Sequence, residues 1–385
     1  MAPLSQAAPF FCTWFSLNGF ARCSKFEAAV VKSQAKAGRS VARGLQTARS
    51  ICSSGEAALR GDRTCFVYRH RSMLPRRLGN TLTRYCKGRC PMMSDELVTT
   101  ESFDYATAFS RTIGWITASE QAKLRSMRVA IAGLGGVGGS HLLTLTRLGI
   151  QSFNLADFDR FGTENLNRQA GAFQSTLGQP KVDVVSRMAR DINPDLDINT
   201  FPGGVTLDNM EQFLSGVDLY VDGLDFFVLD IRARLFALCA ERGIPAITAA
   251  PLGMGAAVLA FLPGQMTFEE YFRLEGCIRN EQLLRFLVGL APAVLHQAYL
   301  VDPSAVDLVH QRGPSTPMAC EICAGIAGTQ ALKILLGRGK VLAAPHGLHF
   351  DAYRNKLVHT WRPGGNNNPL QRLILSVARR RFMGR

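Results

Sequence analysis

The sequence predicts an α/β protein: a doubly wound, mostly parallel sheet with helices on both faces and a late antiparallel strand pair. Three observations carry that expectation. Short apolar runs alternate with helix-length amphipathic segments from residue 127 onward, the pattern of repeated βα units. A glycine-rich turn, GLGGVG at 133–138, separates the first such run from the first helix. Of the 385 residues, 47% are hydrophobic and 19% charged, enough apolar matter for a large core and too much for a globally disordered chain.

The elements follow in order. Residues 127–132 (MRVAIA) read as a buried strand, and 138–148 as a helix stopped by Gly149. Residues 152–156 form the next strand, ending at Asp157. Helix 181–190, strand 197–201, helix 207–214 and strand 218–221 continue the alternation. Helix 229–242 is closed by Gly243, and strands at 244–248 and 256–262 come after it. The stretch 263–320 reads as irregular with a few helical patches. A helix at 322–336 ends at Gly337, and 348–361 holds the late strand pair. At the end, Asn368 and Pro369 fit the N-cap and first position of a helix. Leu370, Leu373, Ile374 and Val377 would lie on one face of it and dock on the core, with Arg379 to Arg381 favouring its C-terminal dipole. A membrane-surface or acidic-partner helix is the second reading of the same pattern.

The strand, glycine turn, helix, strand and acid at 127–157 make a nucleotide-binding, Rossmann-like βαβ unit. Gly133, Gly135, Gly136 and Gly138 let backbone N–H groups approach phosphate at a helix N-terminus. Asp157 is placed to accept hydrogen bonds from ribose hydroxyls. Alone, this motif defaults to a nicotinamide or flavin dinucleotide site. The next residues argue for a triphosphate: Asn165-Leu-Asn-Arg168-Gln169 and then Lys181, an Arg and a Lys just past the ribose acid. Cations there suit charge that develops as pyrophosphate leaves. Asp225, beyond the strand at 218–221, lies on the ligand side of the sheet, where a carboxylate can hold Mg²⁺.

As a set, GLGGVG, ADFD, NLNRQ, GQPK and Asp225 resemble the ThiF/MoeB/HesA family, adenylyltransferases related to ubiquitin-activating enzymes. The resemblance covers about 105–362. It implies ATP-dependent adenylation of a C-terminal carboxylate on a ubiquitin-like or sulfur-carrier protein. It also implies roles: Gly136 near phosphate, Asp157 at the ribose, Asn165, Arg168 and Lys181 on the phosphates with Gln169 in the same motif, and Asp225 on magnesium. Arg111 matches an Arg that reaches the partner subunit's ATP, implying a homodimer. Two other readings stay open: an NAD(P)-dependent oxidoreductase on the same scaffold, and a non-catalytic member that keeps the nucleotide site. Phe226 and Phe227, directly after Asp225, could narrow the site and so favour the last.

Relatives often carry two CxxC pairs for zinc. Here only Cys320 and Cys323 form one, and four-ligand zinc is disfavoured by that count. The pair reads as small buried residues. Cys277 and Cys320 are the candidates for a thioester, neither in an evidently activating setting. The histidines 296, 310, 346, 349 and 359 show no ligand spacing.

The net charge of +14 belongs to the ends. Residues 1–93 hold 16 Lys and Arg against Glu27, Glu56 and Asp62, and 366–385 hold five Arg and no acid. The stretch 94–365 is mildly acidic, which argues against DNA as a partner. The first 93 residues admit three readings: sequence upstream of a true start at Met92–Met93, a transit peptide, or a basic module. The expected organisation is therefore a basic extension at 1–93, disordered or not native, an adenylation domain at 94–365, and a basic tail at 366–385. Four scattered cysteines after residue 93 suit a reduced, cytoplasmic protein. No unbroken apolar run reaches the roughly 18–20 residues of a membrane span; the nearest, 283–295, contains Arg285.

Overall fold

The computed structural model describes residues 102–306 and 313–382. The extension at 1–93 and His310 lie outside the described residues.

After a one-turn helix α1 (Tyr105–Ala108), α2 (Ala118–Ser126) leads into β1 (Arg128–Ala132). Thr117 and Glu120 cap α2 reciprocally: Glu120 N donates to Thr117 Oγ1 at 3.1 Å and Thr117 N to Glu120 Oε2 at 2.8 Å. Then come α3 (Gly138–Arg147), β2 (Ser152–Ala156), α4 (Lys181–Ile192), β3 (Asp197–Phe201), α5 (Met210–Phe213), β4 (Leu219–Asp222) and α6 (Leu229–Glu241). β5 (Ala246–Leu252) and β6 (Gly255–Phe261) precede α7 (Phe268–Phe272), α8 (Arg279–Leu290) and α9 (Pro317–Leu336). β7 (His346–Asp351), β8 (Lys356–Trp361) and α10 (Pro369–Phe382) close the described chain.

One eight-stranded sheet runs in the order β3-β2-β1-β4-β5-β6-β7-β8. β3 through β5 pair in parallel, and β6, β7 and β8 are added antiparallel. The antiparallel part is thus three strands, one more than the late pair expected. Gly253, at φ 63°, turns the chain between β5 and β6, which a residue with a Cβ would resist. Strand side chains alternate between two cores. Val129, Ile131, Phe153, Leu155, Leu219 and Val221 face α3, α4 and α9. Ala130, Ala132, Tyr220, Ala257, Leu259 and Phe261 face α6, α7 and α8. Burial on both faces is why these strands read as continuous apolar runs.

Four expectations need correction. The stretch 263–320 is more ordered than its sequence suggests, since α7, α8 and the first turn of α9 fall in it. α9 begins at Pro317, not at residue 322, with proline in the first helical turn where its missing N–H costs nothing. By length and composition α9 also meets the criterion for a membrane span, which a search for unbroken apolar runs misses because Glu321, Gln330 and Lys333 interrupt it. In the fold it lies against β5, β6 and α3, an apolar helix in a core. Finally, α10 docks on α8, but only partly by the expected face. Ile374 packs as expected with buried Leu375 against Leu284 and Val288, and Gln371 is buried, whereas Leu370, Leu373 and Val377 are exposed. Polar anchors accompany this packing. Gln371 Nε2 donates to Val288 O at 2.7 Å, and Arg379 Nε meets Glu281 Oε2 at 2.9 Å.

Candidate functional site

β1 lies between β2 and β4, so the direction of strand addition reverses there and a crevice opens at the strands' C-terminal ends. Three chain segments meet at it: the glycine turn after β1, the loop after β2 and the loop after β4.

The glycine turn is steric necessity. Gly133 has φ 81°, and a Cβ on Gly138 would lie 1.8 Å from Gly133 O. A Cβ on Gly133 would lie 2.3 Å from Gly223 O, so the turn after β1 and the loop after β4 touch backbone to backbone. Asp157, buried at the end of β2, ties the turn down: Leu134 N donates to its Oδ2 at 2.6 Å and Asp159 N to its Oδ1 at 2.7 Å. Burial raises its pKa, while the same two backbone donors favour the carboxylate. Each oxygen keeps a second lone pair for a further donor.

The loop after β2 folds back over the turn. A Cβ on Gly136 would stand 3.7 Å from Arg168 Nε and 3.5 Å from Cys320 Sγ, and one on Gly135 would be 3.5 Å from Gln169 Nε2. A Cβ at either glycine would thus meet these side chains at ordinary van der Waals contact. Arg168 is half-buried, its Nη1 donating to Glu164 O at 3.0 Å and Asn167 Oδ1 at 2.9 Å. Gln169 is buried and its Oε1 has no partner. Asn165 is buried too, its Oδ1 accepting from Gly162 N at 3.0 Å, so here it shapes the local turn. Lys181, at the start of α4, is buried with Nζ 2.9 Å from Asp159 Oδ2. Asp159 thus holds this lysine.

After β4, Asp225 is exposed. Its Oδ1 accepts from Phe227 N at 3.0 Å, and among the described residues its Oδ2 makes no hydrogen bond. That carboxylate could ligate a hard cation. No group of three His, Cys, Asp or Glu among the described residues could hold a metal by itself. Magnesium fits this donor set only with phosphate oxygens supplying further ligands. Phe226 and Phe227 do not narrow the crevice. They stack edge-to-face at 5.1 Å, and Phe226 lies 5.4 Å from Phe286 of α8, so both serve the core below.

Arg111 follows α1, in the short turn Ser110–Thr112. It is exposed and makes no side-chain hydrogen bond or ion pair among the described residues. Exposed Ile113 and Trp115 accompany it, the latter 85% accessible. Cys320 and Cys323 are buried in α9, and burial raises both thiols. Cys277 lies between α7 and α8, its Sγ 3.7 Å from Arg273 O. His349 is buried, and burial lowers its pKa to about 4; His346 and His359 are exposed. Sequence reading missed two features: the approach of Cys320 to the glycine turn, and a buried Asp222–Arg232 pair beneath the loop after β4. The end of a strand marks Asp222, but no local pattern marks Arg232.

Comparison with known proteins shows the family and the fold. The ThiF family model matches residues 109–373. The chain is 37% identical over 135 residues to the tRNA threonylcarbamoyladenosine dehydratase of Bacillus subtilis, covering 35% of this chain and 51% of that protein. It is 31% identical over 159 residues to the molybdopterin-synthase adenylyltransferase of Salmonella typhimurium, covering 41% and 60%. The chain thus spans about half the length of the curated relatives it matches. Among solved structures, the crystal structure of PaaA superposes with a TM-score of 0.50 at 19% identity, over 70% of this chain and 77% of that one, and so shares the fold.

Proposed function

The chain belongs to the ThiF family, and from that premise we propose that it is an ATP-dependent adenylyltransferase, activating a carboxylate as its acyl-adenylate with release of pyrophosphate. The observation that carries this reading is the closeness of Arg168 to Gly136 and of Gln169 to Gly135. A cation and an amide beside the backbone N–H groups of a glycine turn suit a triphosphate. A dinucleotide's pyrophosphate is already served by backbone and needs no such cation.

In this mechanism the substrate carboxylate, ionised at neutral pH, attacks the α-phosphorus in line as pyrophosphate departs. The chain's own work is positioning and charge. The turn at 133–138 presents backbone N–H groups to phosphate, and Asp157 accepts from the ribose hydroxyls. Arg168, and Lys181 on exchanging Asp159 for phosphate, offset the negative charge that builds on the leaving group. Gln169 completes the phosphate side, and Asn165, whose Oδ1 shapes the turn, would offer its Nδ2 there. Asp225 would hold Mg²⁺, which bound there would neutralise phosphate oxygens. Exposed Arg111, flanked by exposed Ile113 and Trp115, suits an arginine that reaches across a homodimer.

The acceptor we favour is the C-terminal carboxylate of a small ubiquitin-like or sulfur-carrier protein, in line with the match to the molybdopterin-synthase adenylyltransferase. A tRNA-linked carboxylate is the second reading, favoured by the higher identity to the tRNA-modifying relative. ATP–pyrophosphate exchange with candidate acceptors tests the proposal. Arg168→Ala should cut exchange by about 100- to 1000-fold, the usual effect of losing one charge-stabilising donor, and Asp225→Ala should abolish it, both without unfolding the protein. Full exchange in either variant would remove the mechanism.

A further inference from the structure

The loop after β4 is held by a device that fold stability does not explain. Arg232, near the start of α6, and Asp222, at the end of β4, are only 3% and 1% exposed, with Nε to Oδ2 at 2.8 Å. Asp222 also accepts from Thr248 Oγ1 at 2.8 Å, Tyr220 OH at 3.3 Å and Leu224 N at 3.3 Å. Removing two charges from water is costly, and apolar residues of similar volume hold such positions as well or better. The pair therefore has to be explained by where its hydrogen bonds go.

They go to one loop. Arg232 Nη2 donates to Leu224 O at 2.6 Å and Asp225 O at 3.0 Å, and Nη1 to Val228 O at 2.9 Å and Phe226 O at 3.5 Å. The guanidinium lies 4.8 Å over the Phe286 ring, which closes it off from below. Four carbonyls are thus drawn inward around one planar fork. With the backbone so turned, the Asp225 side chain is left outside, one oxygen fixed by Phe227 N. Gly223 of the same loop abuts Gly133, so the loop is registered against the phosphate cradle as well. A second cation acts from α8, where Arg279 reaches Phe227 O.

We propose that Arg232 is a positioning residue for magnesium: through the loop backbone it fixes the Asp225 carboxylate facing the phosphate side of the crevice. The proposal rests on the Mg-ATP reading of the site and extends it to a residue that touches neither ATP nor metal. A lysine at this position could keep the charge pair with Asp222 but not the fork that gathers four carbonyls.

The test is calorimetric titration of ATP at a series of Mg²⁺ concentrations, with circular dichroism and melting temperature read in parallel. Three proteins are compared: wild type, Arg232→Lys, and the double variant Arg232→Met/Asp222→Leu. The double variant removes both buried charges together, so that neither is left without the other. The expected result is near-wild-type ATP binding without metal in both variants. The Mg²⁺ concentration that half-saturates the ATP-dependent signal should rise about 10- to 100-fold, the usual cost of losing the support of a metal ligand. A folded double variant with wild-type Mg²⁺ dependence overturns the positioning role alone. A wild-type protein that binds no ATP overturns the reading beneath it, and this proposal with it.

Discussion

The two loops that flank the crevice reach rigidity by opposite means. The turn after β1 is held by what it lacks: glycines at 133 and 138 let backbone come within distances no Cβ allows, and a single carboxylate, Asp157, clips it to the end of β2. The loop after β4 is held by a long side chain from the following helix, a buried guanidinium that gathers its carbonyls. The difference suits the work proposed for each. The first loop must offer backbone N–H groups to phosphate, so side chains would be in the way. The second must aim one carboxylate, so its backbone is pulled inward and its side chain left out.

Variants can break or sharpen this contrast. The largest stability effect is expected on the steric side. Gly138→Ala would put a methyl where Gly133 O stands, and overpacking of that kind costs about 3 kcal/mol. Thermal unfolding should show the loss, and titration should show ATP binding gone with it. A Gly138→Ala protein with wild-type melting and ATP affinity would mean that the turn is not held by close approach.

A comparable effect is expected at acidic pH from His141, in α3 just past the same turn. It is buried with neither ring nitrogen partnered, and burial lowers its pKa to about 4 from an ordinary 6.5. A histidine depressed in the folded state contributes stability above its unfolded pKa. That contribution is lost as pH falls from about 6.5 towards 4, because the unfolded chain takes up the proton first. The shift corresponds to about 3 kcal/mol at pH 4. Denaturant unfolding across this window should show His141→Leu losing less stability than wild type. Parallel pH profiles would refute the buried neutral histidine.

The smallest effect is on the other loop. Thr248→Val removes one hydrogen bond to Asp222 and leaves the charge pair intact. A hydrogen bond to a charged group contributes about 1.5–3 kcal/mol. The variant should melt a few degrees lower and need several-fold more Mg²⁺ for ATP binding. Unchanged Mg²⁺ dependence beside lowered stability would separate the Asp222 network from the metal side of the site.

How far each loop could be read in the sequence follows from the same contrast. A turn built from missing side chains writes itself locally, as GLGGVG between a strand and a helix. Asp157 and Asp225 are legible because they follow strands β2 and β4 closely, which puts them on the ligand side. Arg232 looks like any arginine in an amphipathic helix, because its partners are carbonyls of a loop that the sequence does not shape. Cys320 reaches Gly136 from 184 positions along the chain, which no local spacing encodes. The region around α8 was obscured because Leu283, Leu284, Phe286 and Val288 are all buried, leaving no clean helical period. α10 was legible as a helix but only partly in its orientation, because Gln371, Leu375 and Arg379 join Ile374 in anchoring it to α8 while Leu370, Leu373 and Val377 stay exposed.

The proposed role of Arg168, beside Gly136, and of Lys181, paired with Asp159, is to meet a nucleoside triphosphate. It is tested most directly by measuring the affinities of Mg-ATP and NAD⁺ for wild type and for Arg168→Ala in the same buffer. The account predicts that wild type binds Mg-ATP and not NAD⁺, and that Arg168→Ala loses about tenfold or more in ATP affinity, as removal of a charge-assisted phosphate contact should. Tight binding of NAD⁺ with no response to Mg-ATP, or an Arg168→Ala protein that binds ATP as wild type does, would contradict it.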